Sequence, residues 1–130
     1  MFLLAADTVA CALRGEGRVG ETILAHRPSE LAISALTLAE LRYGADRRRS
    51  RRLHRLLDAF TGDVAVLPFD TNAVSRFGRV RAALTSDRGP AALLDALIAA
   101  HALAVGATLV THDPTRFRGV RGLAVVDWYG

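Results

Sequence analysis

With 130 residues, of which 51% are hydrophobic and 23% charged, the chain is long enough to bury a real core and too apolar to be disordered. A single cysteine, Cys11, excludes an internal disulfide and any cysteine-based zinc site. The net charge is +4 and all 17 basic residues are arginine, which fits a GC-rich codon bias as well as it fits phosphate recognition by guanidinium groups.

The run "FLLAAD" (2–7) reads as a first buried strand closed by Asp7, and "TVACALRG" as a short helix ending at Gly15. A second helix is expected over "RVGETILAHR" and a strand over "ELAIS" (30–34). From Thr37, "TLAELRYGADRRR" is helical, with Leu38, Leu41 and Ala45 at the spacing of one helix face. "SRRLHRLLDAF" (50–60) comes next as a helix with Leu53, Leu56, Leu57 and Phe60 as its buried stripe. "VAVLPFD" (64–70) is a third strand and "TNAVSRFGRVRAALTSD" (71–87) a long amphipathic helix. "PAALLDALIAAHALAVG" (90–106) is an almost wholly apolar helix with Gly106 as its stop. "TLVT" and "LAVVDW" complete the strands.

Short apolar strands alternating with helices imply a parallel sheet covered on both faces. No linker divides the chain and no repeat is present, so the expectation is one α/β domain over 1–130, a three-layer α/β/α sandwich with a central parallel sheet. The apolar stretches are interrupted well short of membrane-span length, and "MFLLAADTVACALRGEG" lacks a basic leader, so a cytoplasmic location is expected.

In such sheets ligands bind beyond the carboxyl ends of the strands. Asp7 and Asp113 each come after a strand at that end, Glu40 lies about one turn into the helix after "ELAIS", and Asp95 sits near the start of the apolar helix. Each acid has an ordinary explanation. "TLAE" is a capping box, Asp95 suits a helix N-terminus, and Asp7 and Asp113 could each cap the next helix or turn. Four acids on one rim are harder to dismiss. Burying a carboxylate such as Asp95 among leucines is costly unless it is paired or binds a cation. Carboxylates without cysteines or paired histidines suit Mg²⁺ or Mn²⁺ better than zinc, and such ions support phosphodiester hydrolysis.

The stretches "ISALTLAELRYGADRRRS" (33–50), "VAVLPFD", "LLDALIAAHALAVGATLVTHDPTRFRGVRGL" (93–123) and the closing "VVDWYG" resemble the PIN-domain ribonucleases, in particular the VapC-type toxins of bacterial type II toxin–antitoxin systems. "LAELRYGA", "LPFD" and "DALIAAHALAVGATLVT" look most like the tRNA-cleaving members. The resemblance places the family's four acids on Asp7, Glu40, Asp95 and Asp113, as catalytic residues and metal ligands. It implies an Mg²⁺- or Mn²⁺-dependent endoribonuclease acting on structured RNA (tRNA before rRNA), a VapB-type antitoxin covering the site, and a homodimer formed through helices of the first half. Thr8 and Thr111 match the family's small hydroxyl residues and, with Arg116, are candidates for contact with substrate. Val9 in "DTV", the loop "RGPAALLD" and His112 depart from the family pattern. They leave a second reading open, a degenerate PIN domain that binds RNA or antitoxin with little cleavage.

Other residues read more plainly. His112 is an exposed strand-end residue or a proton donor, His101 a satisfied core histidine, Cys11 a small packed side chain and Phe117 a core residue. "RRRSRRLHR" (47–55) is a solvated face or an RNA contact. "GEGRVG" (15–20) fits Gly-x-Gly-x-x-Gly with Glu40 twenty residues beyond Gly20, but a helix separates it from its strand, which argues against a dinucleotide site.

Overall fold

Five very short strands, β1 (Phe2–Leu4), β2 (Leu31–Ser34), β3 (Ala65–Leu67), β4 (Thr108–Val110) and β5 (Val125–Val126), form one sheet in the order β3-β2-β1-β4-β5 in the computed structural model. Every pairing is parallel, with Leu3 opposite Ala32 and Leu109, and Leu4 opposite Val110. The structure describes residues 1–84 and 89–130. Among these residues, six helices cross between the strands: α1 (Ala6–Arg14), α2 (Val19–Leu24), α3 (Ala35–Arg47), α4 (Arg51–Asp63), α5 (Thr71–Ala83) and α6 (Pro90–Val105). Among the described residues, no helix is long and apolar enough to cross a membrane.

Successive strand side chains point to opposite faces, and here both faces are apolar. Leu3, Ala32 and Leu109 join the cluster built from α5 and α6, with Val80, Ala96, Ala99 and Phe117. Leu4, Leu31, Ile33 and Val110 join the other cluster, with Val9 of α1, Ile23 of α2, Leu38 and Leu41 of α3, and Phe60 of α4. The expected three-layer α/β/α sandwich is therefore the architecture that forms. Leu3, Leu4, Ile33 and Leu109 are fully excluded from water. Each is worth roughly 1.5–3 kcal/mol of transfer free energy.

α6 is apolar all round because it is buried nearly all round. Ala92, Ala96, Ala99, Ala100 and Ala102 have no exposed surface. Its most deeply buried polar group, His101, lies with Nδ1 2.8 Å from Ser34 Oγ and its ring edge-on to Phe69. Gly106 ends the helix in the left-handed conformation (φ 67°), as Gly15 ends α1 (φ 70°).

Several boundaries differ from expectation. The first strand stops at Leu4, not at Asp7, because the Ala5 carbonyl accepts from the Val9 N–H at 3.1 Å and helix α1 starts at Ala6. Asp7 is thus a first-turn helix residue, where negative charge is favoured. α3 begins at Ala35 with Ser34 as its cap, the Ser34 hydroxyl accepting from the Leu36 N–H. Thr37 is buried inside the helix, so "TLAE" is not a capping box and that ordinary explanation of Glu40 falls away. The end of the predicted 71–87 helix, and Arg88 of the "RGPAALLD" loop, lie outside the described residues.

"GEGRVG" is a turn and not a phosphate cradle. Gly17 has φ 62°, and a Cβ there would meet the Tyr129 carbonyl oxygen at 2.6 Å. The next N–H, of Arg18, donates to that same carbonyl at 2.8 Å. The glycine lets the chain's last residues lie against the α1–α2 turn.

Candidate active site

The chain runs outward from β1 through β2 to β3 and then returns to place β4 on the other side of β1. The switch in strand order therefore lies between β1 and β4, the place where open α/β sheets bind ligands. Asp7 comes after β1 and Asp113 after β4, so the switch point itself is flanked by two carboxylates.

Asp7 is held rigidly. Its Oδ1 accepts from the Thr8 N–H at 2.8 Å, and its Oδ2 accepts from the Thr111 hydroxyl at 2.6 Å and from the His112 N–H at 3.3 Å. Its side chain is only 17% exposed. Thr111 is fully buried, and its oxygen also accepts from the Asp113 N–H at 3.2 Å, so one hydroxyl ties the two acids together. Asp113 is more open and accepts at Oδ1 from the Thr115 hydroxyl at 2.6 Å. Thr8 is buried as well, its hydroxyl donating to the Val110 carbonyl at 2.9 Å. Thr8 and Thr111, candidates for contact with substrate, here position Asp7 against the sheet.

Asp95 lies in the second turn of α6 and is buried. A cavity of about 130 Å³ is lined by Asp7, Glu40, Asp95 and Arg116, with Thr37, Leu94 and Phe117 as part of its walls. Burial pushes the Glu40 carboxyl above its ordinary range; the Arg116 charge opposes this, and Asp95 and Asp7 add to it. Glu40 is itself exposed and meets Asp7, Asp95 and Arg116 along this cavity.

At the centre is Arg116, on the 3₁₀ turn Pro114–Phe117. Its Nη2 lies 3.6 Å from Asp7 Oδ2, its Nη1 3.9 Å from Asp95 Oδ1 and its Nε 3.6 Å from Asp113 Oδ2. Three of the predicted acids therefore converge on one cation, and the fourth, Glu40, shares a cavity with Asp7, Asp95 and that cation. Among the described residues, no group of three or more His, Cys, Asp or Glu side chains is arranged to hold a metal ion.

His112 puts Nδ1 3.4 Å from Asp7 Oδ2 and 3.7 Å from Cys11 Sγ. A cysteine nucleophile would need one imidazole nitrogen for the thiol and the other for the acid. Here a single nitrogen faces both, and burial pushes the Cys11 thiol up, away from thiolate. Cys11 packs, as expected, and carries no chemistry.

A second cavity, of about 320 Å³, opens on the other side of Asp7 and Glu40, with Leu13, Leu41, Leu53 and Leu57 in its walls and Arg14 and Arg48 beside them. Arg48 of the arginine run lines this cavity with Asp7 and Glu40, and like Arg47, Arg49, Arg51, Arg52 and Arg55 it is exposed. His54, unassigned from sequence, bridges α3 and α4: its Nε2 lies 2.8 Å from Asp46 and its Nδ1 3.0 Å from Arg42, which donates to Asp58 at 2.6 Å. His26 stacks on Trp128.

An all-parallel sheet with acids gathered at its switch point defines an α/β protein with a carboxylate site. Residues 12–123 match the PIN domain family model, and the chain belongs to the PIN domain family. It is 34% identical over 100 residues, 76% of each protein, to the tRNA(fMet)-specific endonuclease VapC of Shigella flexneri. It is 31% identical over 99 residues to ribonuclease VapC2 of Rickettsia felis, covering 75% of this chain and 74% of that one. Among solved structures it resembles the DNA-bound VapBC of Salmonella typhimurium, with TM-score 0.83 and 29% identity over 98% of this chain and 97% of that one. The VapBC2 of Rickettsia felis bound to a promoter DNA fragment gives TM-score 0.83 and 25% identity over 98% of both chains.

Proposed function

We propose that this protein is the toxin of a toxin–antitoxin pair: an Mg²⁺- or Mn²⁺-dependent endoribonuclease that cuts structured RNA, with tRNA as the preferred class, and is silenced by a VapB-type antitoxin. The observation that carries the reading is the convergence of Asp7, Asp95 and Asp113 on one cationic centre at the switch point. The donor chemistry fits a hard divalent cation, because the site offers carboxylate oxygens and no thiolate. Asp7, Asp95 and Asp113 would hold the ion, with Glu40 on its open side. When bound, the ion would stabilise charge on the scissile phosphate and on the leaving oxygen.

The chain's own residues do the remaining work. Thr8 and Thr111 fix Asp7, so no reorientation is needed when a cation arrives. Glu40 faces solvent beside the buried acids and would take a proton from the attacking water at its carboxylate. Arg14 and Arg48 would hold RNA phosphates along the adjoining cavity. The apolar wall of the same cavity would seat an antitoxin segment. The VapC names of the relatives support ribonuclease action, the tRNA(fMet)-specific ones support tRNA, and the VapBC complexes support the antitoxin. A homodimer through the first-half helices, around "LRYGADRR", belongs to the same proposal.

A second reading, a PIN domain that binds RNA or antitoxin and cuts little, draws on Val9. This residue is fully buried in the core and offers the acids no polar partner. One experiment separates the two: incubation of antitoxin-free protein with total tRNA and rRNA, in Mg²⁺, in Mn²⁺ and in chelator, with cut sites read by sequencing. A discrete metal-dependent cut, absent in Asp95→Asn, is expected. Folded protein that cuts nothing in either metal would overturn the nuclease reading in favour of the binder.

A further inference from the structure

Arg116 sits among the acids without fitting them. Each guanidinium nitrogen that faces an acid does so at 3.6 to 3.9 Å, longer than a hydrogen bond. Nε is buried and has no hydrogen-bond partner. A site shaped for arginine makes short bidentate contacts, about 2.7–2.9 Å long. Here the short bonds come from elsewhere: from the Thr8 N–H and Thr111 hydroxyl to Asp7, and from the Thr115 hydroxyl to Asp113. The guanidinium is held by charge, and the hydrogen bonds that fix Asp7 and Asp113 do not depend on it.

We propose that Arg116 is a resident counter-ion that must vacate the acidic cluster before a divalent cation can enter, and that it thereby sets the protein's metal affinity. The proposal rests on the metal-dependent reading of the site. Both cations are drawn to the same oxygens, Asp7 Oδ2, Asp95 Oδ1 and Asp113 Oδ2, and the guanidinium charge among them repels an arriving divalent ion. The side chain is 33% exposed and rises from a short turn at the rim. A swing into solvent gives up its long contacts with the acids and its place over the Phe117 ring, 5.8 Å from the ring centre. In the absence of metal, Arg116 keeps the acids from repelling one another; with metal and RNA present, it is released beside the substrate backbone.

The test is calorimetric titration of Mn²⁺, without RNA, into wild type, Arg116→Ala, Arg116→Gln and Asp95→Asn, each checked for fold by circular dichroism. Both Arg116 variants should bind Mn²⁺ on the order of tenfold or more tightly than wild type, the effect of removing one competing charge. Their melting temperatures should also rise more on adding Mn²⁺. Arg116 variants that are folded yet bind Mn²⁺ no better than wild type would overturn the counter-ion role. The metal reading would stand in that case, provided wild-type binding is lost in Asp95→Asn. Absence of Mn²⁺ binding from wild type and both Arg116 variants would overturn both.

Discussion

The Thr111 hydroxyl donates a 2.6 Å hydrogen bond to Asp7 Oδ2 across 104 positions of sequence, and the same oxygen receives the Asp113 N–H. A fully buried threonine at the end of β4 thus sets the distance between two acids on different segments of the chain. Thr111→Val keeps the shape and removes both bonds. It should cost roughly 1–3 kcal/mol in denaturant unfolding, for the buried polar groups left unmatched. Divalent-ion affinity and RNA cleavage should fall about 10- to 100-fold, the usual effect of losing a ligand's supporting bond. Thr111→Ser should restore most of each.

Glu40 gives the metal-free protein a pH signature. Burial holds its carboxyl above the ordinary range. The folded state therefore favours the protonated form, and this contribution is full below the ordinary glutamate pKa and lost as pH rises through the raised value. In chelator, Glu40→Gln should melt higher than wild type at neutral pH, by on the order of a degree or two. The difference should close in acid. Thermal melts of both proteins across that range check it, and the same variant should cleave RNA poorly.

His101 has the opposite sign. Burial lowers its pKa, with Asp70 acting weakly against the shift. Its contribution is present above the ordinary histidine pKa and lost as pH falls through the depressed value. The stability difference between wild type and His101→Gln should therefore narrow as the buffer is taken from neutral to mildly acidic. At neutral pH the variant should be less stable by about 1–3 kcal/mol, for disturbed core packing and the contact with Ser34. Denaturant midpoints at a series of pH values measure both.

Two glycines of "GEGRVG" should separate cleanly. Gly17→Ala adds a Cβ 2.6 Å from the Tyr129 carbonyl at a positive φ and should destabilise by about 1–3 kcal/mol. Gly20→Ala, inside α2 with open space around it, should be neutral or stabilising by about 0.4–1 kcal/mol. Comparing the two by chemical denaturation tests whether the motif is a packing turn.

Much of this protein was legible in its sequence. Apolar periodicity gives the alternation of strands and helices, Gly15 and Gly106 end their helices as left-handed caps, and Asp7 and Asp113 come soon after β1 and β4, on the carboxyl rim of a parallel sheet. Those features are local, or derive from topology that local pattern implies. Other features depended on which strands become neighbours. That Thr111 holds Asp7, and that the Thr8 hydroxyl ties α1 to the Val110 carbonyl, both result from β4 pairing beside β1. That Ser34 and not Thr37 caps α3 was hidden because the buried strand end runs straight into the helix. Arg116 shows the division most clearly. Its three-residue spacing from Asp113 is visible in "DPTR", but its contacts with Asp7 and Asp95 join residues far away along the chain. Side-chain chemistry is written in the sequence; the distances that turn four acids and one arginine into a single electrostatic unit exist only once the sheet has closed around its switch point.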